Sequence, residues 1–140
     1  MMSNISNKLN NDTIGFVGLG KMGLPMAIRL AKYGLNIYAY DVRNDIAEEI
    51  KEYGIIWLDS VGRLAEISNN ILIMVYNGDQ VRELMLASDG ILANAKHNTV
   101  IVDMTSSDPI IVSELAPKCD DKNVHLIDAP VSGGVEAAQN

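Results

Sequence analysis

Three glycines after a short apolar segment constrain the fold of this chain more than any other feature. The segment Thr13–Val17 is apolar and rich in β-branched residues, and Gly18, Gly20 and Gly23 follow it before a run with helical periodicity. At this spacing the first glycine allows a tight turn, the second a close approach of the backbone to a pyrophosphate, and the third close packing of a helix. The motif therefore predicts a strand, a phosphate-binding loop and a helix whose first N–H groups face the anion.

An acidic residue, Asp41, ends the second apolar run at a place where it could read the sugar of a nucleotide. It lies eighteen positions after Gly23. A carboxylate there accepts hydrogen bonds from the hydroxyls of an adenosine ribose and repels a 2′-phosphate, which favours NAD over NADP. Arg43 keeps NADP open as the alternative, because a guanidinium can pair bidentately with that phosphate.

Strands and helices alternate along the rest of the chain. The predicted strands cover residues 13–17, 35–40, 55–58, 70–75, 99–102 and 124–127, and the predicted helices cover 22–33, 45–53, 60–67, 79–86, 91–95, 108–115 and 135–139. This alternation predicts one α/β domain of the Rossmann type over residues 13–140, a doubly wound, mostly parallel sheet of six or more strands with helices on both faces. Residues 1–12 are polar and rich in asparagine, and we expect them to be a disordered lead-in rather than a targeting signal.

Ligands of such a sheet bind at the carboxyl ends of its strands, and side chains suited to this role follow three of them. After the fourth strand, Val75 and Tyr76 could pack on the nicotinamide half of a cofactor, with Asn77 and Gln80 as hydrogen-bonding groups. An Asn-Gly turn that starts a helix explains Asn77 equally well.

The loops after the fifth and sixth strands carry hydroxyl groups. Thr105, Ser106 and Ser107 could reach a ligand in the crevice, or they could serve only the loop and the following helix cap. The sequence from Ser132 to Gly134 offers a hydroxyl and successive N–H groups that suit a carboxylate, although the glycines could serve only a turn.

The composition excludes several classes of protein. Eleven Lys and Arg against eighteen Asp and Glu give a net charge of −7, which argues against a nucleic-acid partner. Cys119, the single cysteine, leaves no intrachain disulfide or cysteine metal cluster, so we expect an inert thiol, no metal site and a cytoplasmic location. Because no apolar stretch reaches the length of a membrane span, we expect no membrane partner.

Three motifs together resemble the amino-terminal domain of the β-hydroxyacid dehydrogenases. They read GFVGLGKMGLPMA from Gly15, DMTSSDP from Asp103 and DAPVSGG from Asp128. This family includes 3-hydroxyisobutyrate dehydrogenase and tartronate semialdehyde reductase and is related to 6-phosphogluconate dehydrogenase. The resemblance covers residues 13–140 and implies hydride transfer between NAD and a small 3-hydroxy acid.

The resemblance also implies the site residues. Those that would bind the cofactor are Gly18, Leu19, Gly20, Lys21, Met22, Gly23, Asp41, Val42, Arg43, Val75, Tyr76, Gln80 and Ser106. Ser132, Gly133 and Gly134 would hold the carboxylate of the substrate. Tyr76 is a departure, since the family usually has proline after the fourth strand.

The family has a second, all-helical domain that supplies a lysine as general acid and base. We expect that domain to be absent from this chain, so that no catalytic residue lies in these 140 residues and the chain alone is inactive. We also expect the full-length enzyme to be a homo-oligomer.

Two other classes of protein share part of the pattern. A regulatory NAD-sensing module has a similar length, a glycine loop and an acidic second strand, but it would not need DAPVSGG. A methyltransferase fits less well, because its glycine loop normally follows an acidic residue and is spaced for adenosine rather than for pyrophosphate.

Overall fold

Six strands and seven helices alternate in the computed structural model, which describes residues 12–140. The strands are β1 (Thr13–Val17), β2 (Asn36–Tyr40), β3 (Ile56–Trp57), β4 (Asn70–Ile73), β5 (Val100–Asp103) and β6 (His125–Asp128). The helices are α1 (Gly23–Lys32), α2 (Ala47–Lys51), α3 (Val61–Ile67), α4 (Gly78–Leu86), α5 (Ile91–Asn94), α6 (Pro109–Asp121) and α7 (Gly134–Gln139). The lead-in predicted for residues 1–12 lies outside the described residues, apart from Asp12.

All six strands pair in parallel in one sheet, in the order β3-β2-β1-β4-β5-β6. The chain runs outward in one direction from β1 to β3 and in the other from β4 to β6. A crevice forms at the carboxyl ends of the strands where this direction reverses, between β1 and β4. The prediction of a doubly wound parallel sheet is therefore confirmed.

Helices cover both faces of the sheet, and alternate residues of the central strands enter two separate cores. Phe16 lies in a core with residues of α1 and α2, whereas its neighbour Val17 lies in a core with residues of α3 to α6. On β4, Ile71 and Ile73 belong to the second core and Leu72 packs against the first. Burial on both faces explains why the central strands are continuous apolar runs rather than alternating ones.

Two elements differ in length from the sequence prediction for identifiable reasons. The strand predicted to reach Val75 ends at Ile73, because the Val75 N–H bonds a side chain rather than a strand carbonyl. The helix predicted to end at Leu115 continues to Asp121 and includes Pro117, a residue that normally ends helices. Buried Leu115 and Cys119 lie one turn apart on the same face of α6, and their packing holds the helix together across the proline.

The thiol of Cys119 lies deep in the sheet–helix core. It is 1% exposed, and burial raises its pKa to about 11. A thiol that stays protonated and buried is a poor nucleophile, as the sequence predicts. Within residues 12–140, α6 is the longest helix, and no helix has the length and apolar character needed to cross a bilayer.

Candidate functional site

The three glycines of the loop between β1 and α1 have three different environments. Gly18 has a φ of 95°, and a Cβ there would overlap the Met74 carbonyl oxygen. A Cβ at Gly23 would overlap the Gly18 carbonyl oxygen, so only glycine lets α1 start this close to the loop. At Gly20, no described atom beyond the residue itself and its two chain neighbours lies within 4 Å of the position that a Cβ would take, so the surrounding protein does not itself require glycine there. This pattern matches a loop in which the second glycine serves the approach of a ligand.

The carboxylate of Asp41 is fixed against this glycine loop. Its Oδ2 accepts a hydrogen bond from the Leu19 N–H at 2.7 Å, and its Oδ1 accepts one from the Arg43 N–H at 2.9 Å. The Asp41 side chain is only 10% exposed. The residue predicted to read the ribose is therefore brought to the loop predicted to bind the pyrophosphate, and its Oδ2 can still accept a further bond.

Arg43 lies over the same carboxylate. Its Nε is 3.4 Å from Asp41 Oδ1, and its Nη2 donates to the Leu19 carbonyl oxygen at 3.2 Å. The side chain is 54% exposed, so the ion pair adds little stability. Lys21 and Val42, also predicted to bind the cofactor, are exposed at the rim of the crevice.

The start of α1 is open to an anion. Leu24 N–H bonds the Gly20 carbonyl oxygen, but no side chain among the described residues caps the helix at Met22. The first turn also holds no acidic residue. Uncapped N–H groups and the positive end of the helix dipole together favour a phosphate at this position.

The loop after β4 is held by residues on both sides of it. Tyr76 N–H donates to Gln80 Oε1 at 2.8 Å, and Gln80 N–H donates to Asn77 Oδ1 at 2.9 Å. Asn77 therefore caps α4, as expected if the Asn-Gly pair serves to start this helix. The ring of Tyr76 is 89% exposed at the crevice, and Val75 is half-buried beside Gly18.

The three hydroxyl residues after β5 have separate positions. Thr105 is buried and bonded to protein groups, Ser106 is exposed, and Ser107 packs beside Gly78 at the start of α4. Asp108 Oδ1 caps α6 by accepting from the Ile110 N–H at 3.0 Å. Of the three hydroxyl residues, Ser106 has the most exposed side chain, which is compatible with the predicted place beside a cofactor.

Asp103, at the end of β5, is a buried carboxylate. Burial raises its pKa above the ordinary value, and hydrogen bonds from the Thr105 N–H and hydroxyl oppose that shift. Asp128, its register partner on β6, raises the pKa further. Because Asp103 is 1% exposed and already bonded, its role is to hold the loop rather than to meet a substrate.

The third motif meets the glycine loop across a cavity of about 380 Å³ between α1 and α7. Ser132 and Gly134 line it together with Met22. Gly133 and Gly134 have φ values of 97° and 67°, a conformation that favours glycine at both positions. A larger cavity of about 530 Å³, between α1 and residues 139–140, holds none of the predicted site residues.

Sequence reasoning missed parts of this arrangement. Met26, Leu72 and Met104 line the smaller cavity, and nothing in their apolar pattern separates them from ordinary core residues. The sequence did contain a signal for the inward position of the Thr105 hydroxyl, because an Asp two residues before a Thr is typical of a turn closed by the Asp side chain.

The sheet order, the glycine loop and the acid bonded to it define a dinucleotide-binding domain of the doubly wound class. Comparison with known proteins gives the same result in more detail. A family model described as the NAD binding domain of 6-phosphogluconate dehydrogenase matches residues 13–140, and the chain belongs to that family. The resemblance drawn from the three motifs is confirmed.

Individual relatives agree with this assignment. The chain is 39% identical over 128 residues to the uncharacterised oxidoreductase YkwC of Bacillus subtilis (strain 168), covering 91% of this chain and 44% of that protein. It is 37% identical over 127 residues to the mitochondrial 3-hydroxyisobutyrate dehydrogenase of Mus musculus, covering 91% and 38%. The structure of Mycobacterium tuberculosis 3-hydroxyisobutyrate dehydrogenase with L-serine superposes with a TM-score of 0.84 at 28% identity, covering 91% and 43%. The chain thus spans less than half the length of these relatives.

Proposed function

We propose that this chain is the NAD-binding part of a dehydrogenase that transfers a hydride between the cofactor and a small 3-hydroxy acid. The observation that carries the proposal is the bond from the Leu19 N–H to Asp41 Oδ2, which joins the phosphate-binding loop to the ribose-reading acid. Membership of the NAD-binding family supports it, and so does the similarity to 3-hydroxyisobutyrate dehydrogenases.

Different residues of the chain would bind different parts of the cofactor. The glycine loop and the start of α1 would bind the pyrophosphate, and Asp41 would bind the adenosine ribose. Arg43 and Val42 would lie at the rim of the crevice beside this ribose. On the other side of the crevice, Val75, Tyr76, Gln80 and Ser106 would line the nicotinamide half. The bound nicotinamide would supply the hydride acceptor or donor, and these residues would orient it and exclude water from one of its faces.

Deprotonation of a substrate hydroxyl needs a base in reach of it, and we propose that no described residue at the crevice takes this role. His97 precedes β5 and His125 begins β6, so both lie at the amino ends of strands, on the opposite edge of the sheet. Asp103 is buried and bonded. We therefore propose that a second domain of the full-length protein supplies the base, as a lysine does in the family that the sequence resembles.

The choice between NAD and NADP gives the direct test of this function. We expect the chain to bind NAD at least about tenfold more tightly than NADP, because a 2′-phosphate would face the poorly exposed carboxylate of Asp41. Calorimetric titration with the two cofactors measures the preference. Asp41→Asn keeps an acceptor oxygen for the loop but removes the charge, so it should reduce the preference without unfolding the protein.

Arg43→Ala is the matched variant, since it removes the opposite charge from the same contact. We expect this variant to bind NADP even more weakly than the unmodified chain does and to bind NAD nearly as tightly. Equal or tighter binding of NADP by the unmodified chain would mean that Arg43 sets the preference, and Asp41→Asn would then change little. Failure to bind either cofactor would contradict the proposed function as a whole.

We further propose that Ser132, Gly133 and Gly134 hold the carboxylate of the substrate. Hydrogen bonds to a charged group are worth about 1.5–3 kcal/mol, so losing one should raise KM about tenfold or more. Steady-state kinetics of the full-length enzyme carrying Ser132→Ala measure this change. Ser113→Ala, at an exposed serine on α6, is the control and should leave KM unchanged.

An unchanged KM of Ser132→Ala for every carboxylate substrate would remove this side chain from the site.

We also propose that the full-length enzyme is a homo-oligomer in the cytoplasm. The buried, unpaired thiol of Cys119 supports a reducing environment.

A further inference from the structure

The hydroxyl of Thr105 joins the ends of two neighbouring strands beneath the crevice. It accepts a hydrogen bond from the Val75 N–H, with 3.1 Å between the two atoms. The Thr105 N–H donates to Asp103 Oδ1 at 3.0 Å, which ties the same residue to the end of β5. Because Thr105 is 1% exposed, its side chain has almost no surface for a ligand of its own.

This contact continues the pairing of β4 and β5 beyond the point where their backbones separate. The last backbone bond between them runs from the Met104 N–H to the Ile73 carbonyl oxygen at 2.9 Å. The Val75 N–H has no strand carbonyl to bond, and the Thr105 hydroxyl takes that place. A part-buried N–H without this partner would be costly, so the hydroxyl fixes where the loop leaves the strand.

We propose that Thr105 is a positioning residue for the nicotinamide half of the cofactor site, acting by holding Val75 and Tyr76 at the crevice. This inference rests on the proposed NAD-binding function. Val75 packs beside Gly18, and Tyr76 is the exposed aromatic residue of the loop. A shift of the Val75 backbone would move both side chains relative to a bound cofactor.

The adenosine half of the site is held by separate bonds. Leu19 is fixed by Asp41, and the Met74 N–H donates to the Val17 carbonyl oxygen at 2.8 Å. Neither bond involves Thr105. Loss of the Thr105 hydroxyl should therefore weaken the binding of ligands that carry a nicotinamide. It should leave the binding of ligands that carry only the adenosine half nearly unchanged.

Thr105→Val tests this difference, because valine keeps the shape of threonine and removes the hydroxyl. In calorimetric titrations, the Kd of Thr105→Val for NAD should be about tenfold higher than that of the unmodified chain. Its Kd for ADP should stay within about twofold of the unmodified value. Thr105→Ser keeps the hydroxyl and should restore NAD binding to within about threefold. Thr99→Val is the matched control. Its hydroxyl is also buried but bonds no other group among the described residues, and it lies just before the start of β5, at the opposite end of that strand.

Several outcomes would overturn the inference. Unchanged NAD binding by Thr105→Val, equal weakening of NAD and ADP, or a serine variant no better than valine would each show that Thr105 has only a structural role. Failure of the unmodified chain to bind NAD would instead refute the proposed function, and this inference with it.

Hydrogen exchange in the unmodified chain gives a second measurement if Thr105→Val does not fold. We expect the Val75 amide to exchange more slowly with NAD bound than with ADP bound, because only NAD would cover the loop. Equal protection by the two ligands would overturn the inference without any variant.

Discussion

Purified as a 140-residue chain, this protein is expected to bind NAD and to transfer no hydride at a measurable rate. A positioned base contributes roughly 10²–10⁴-fold to such a reaction, and we propose that a second domain, rather than any described residue, supplies it. Closure of a second domain over the substrate would add the advantage of fixed orientation, where effective molarities reach about 10⁵ M or more. Binding should survive, because the glycine loop, Asp41 and the crevice all lie within the chain.

The measurement is the absorbance of reduced nicotinamide after mixing the chain with NAD and 3-hydroxyisobutyrate, glycerate or related acids. A calorimetric titration of the same sample shows that cofactor is bound during the assay. The full-length protein at the same cofactor concentration is the positive control. Turnover by the 140-residue chain near that of the full-length protein would mean that a base within the chain has been overlooked.

A second large effect is expected from alanine at two glycines of the same loop. Gly20→Ala should leave the thermal stability unchanged, because its Cβ meets no described atom within 4 Å beyond its chain neighbours. It should raise the Kd for NAD about tenfold to hundredfold, since the Cβ would lie between the backbone and the pyrophosphate. Gly23→Ala should instead lower the free energy of unfolding by about 1–3 kcal/mol or more, because its Cβ overlaps the Gly18 carbonyl oxygen.

The two variants are controls for each other, as each makes the same chemical change within one loop. Thermal melts and NAD titrations of both proteins give the comparison. If Gly20→Ala bound NAD as tightly as the unmodified chain, the pyrophosphate would not approach the backbone where we propose. If Gly23→Ala were as stable as the unmodified chain, α1 would have room to move away from the loop.

The local sequence was enough to predict that every strand and helix among the described residues exists, because apolar spacing, helix caps and glycines mark them. It failed where a distant group decides the outcome. β4 ends at Ile73 because a side chain thirty residues away bonds Val75, and α6 passes Pro117 because buried residues on both sides of the proline pack on the core. No local rule contains either contact.

The candidate site divides in the same way. The glycines and Asp41 follow from spacing, since parallel strands in this topology bring their carboxyl ends together. The bond from Arg43 to the Leu19 carbonyl oxygen could not be predicted, because Arg43 could as well have faced a phosphate. Spacing also left all three hydroxyls after β5 as candidates, and the fold separates them by burying Thr105 and exposing Ser106.

The bond between Asp41 and the Leu19 N–H also limits how this protein could change its cofactor during evolution or by design. Replacing the acid with a small neutral residue would admit a 2′-phosphate, but it would leave the Leu19 amide without its acceptor and loosen the loop. A successful switch to NADP therefore needs two changes together, loss of the charge and a new acceptor for that amide. Libraries that vary position 41 alone should be enriched in asparagine, serine and threonine over alanine.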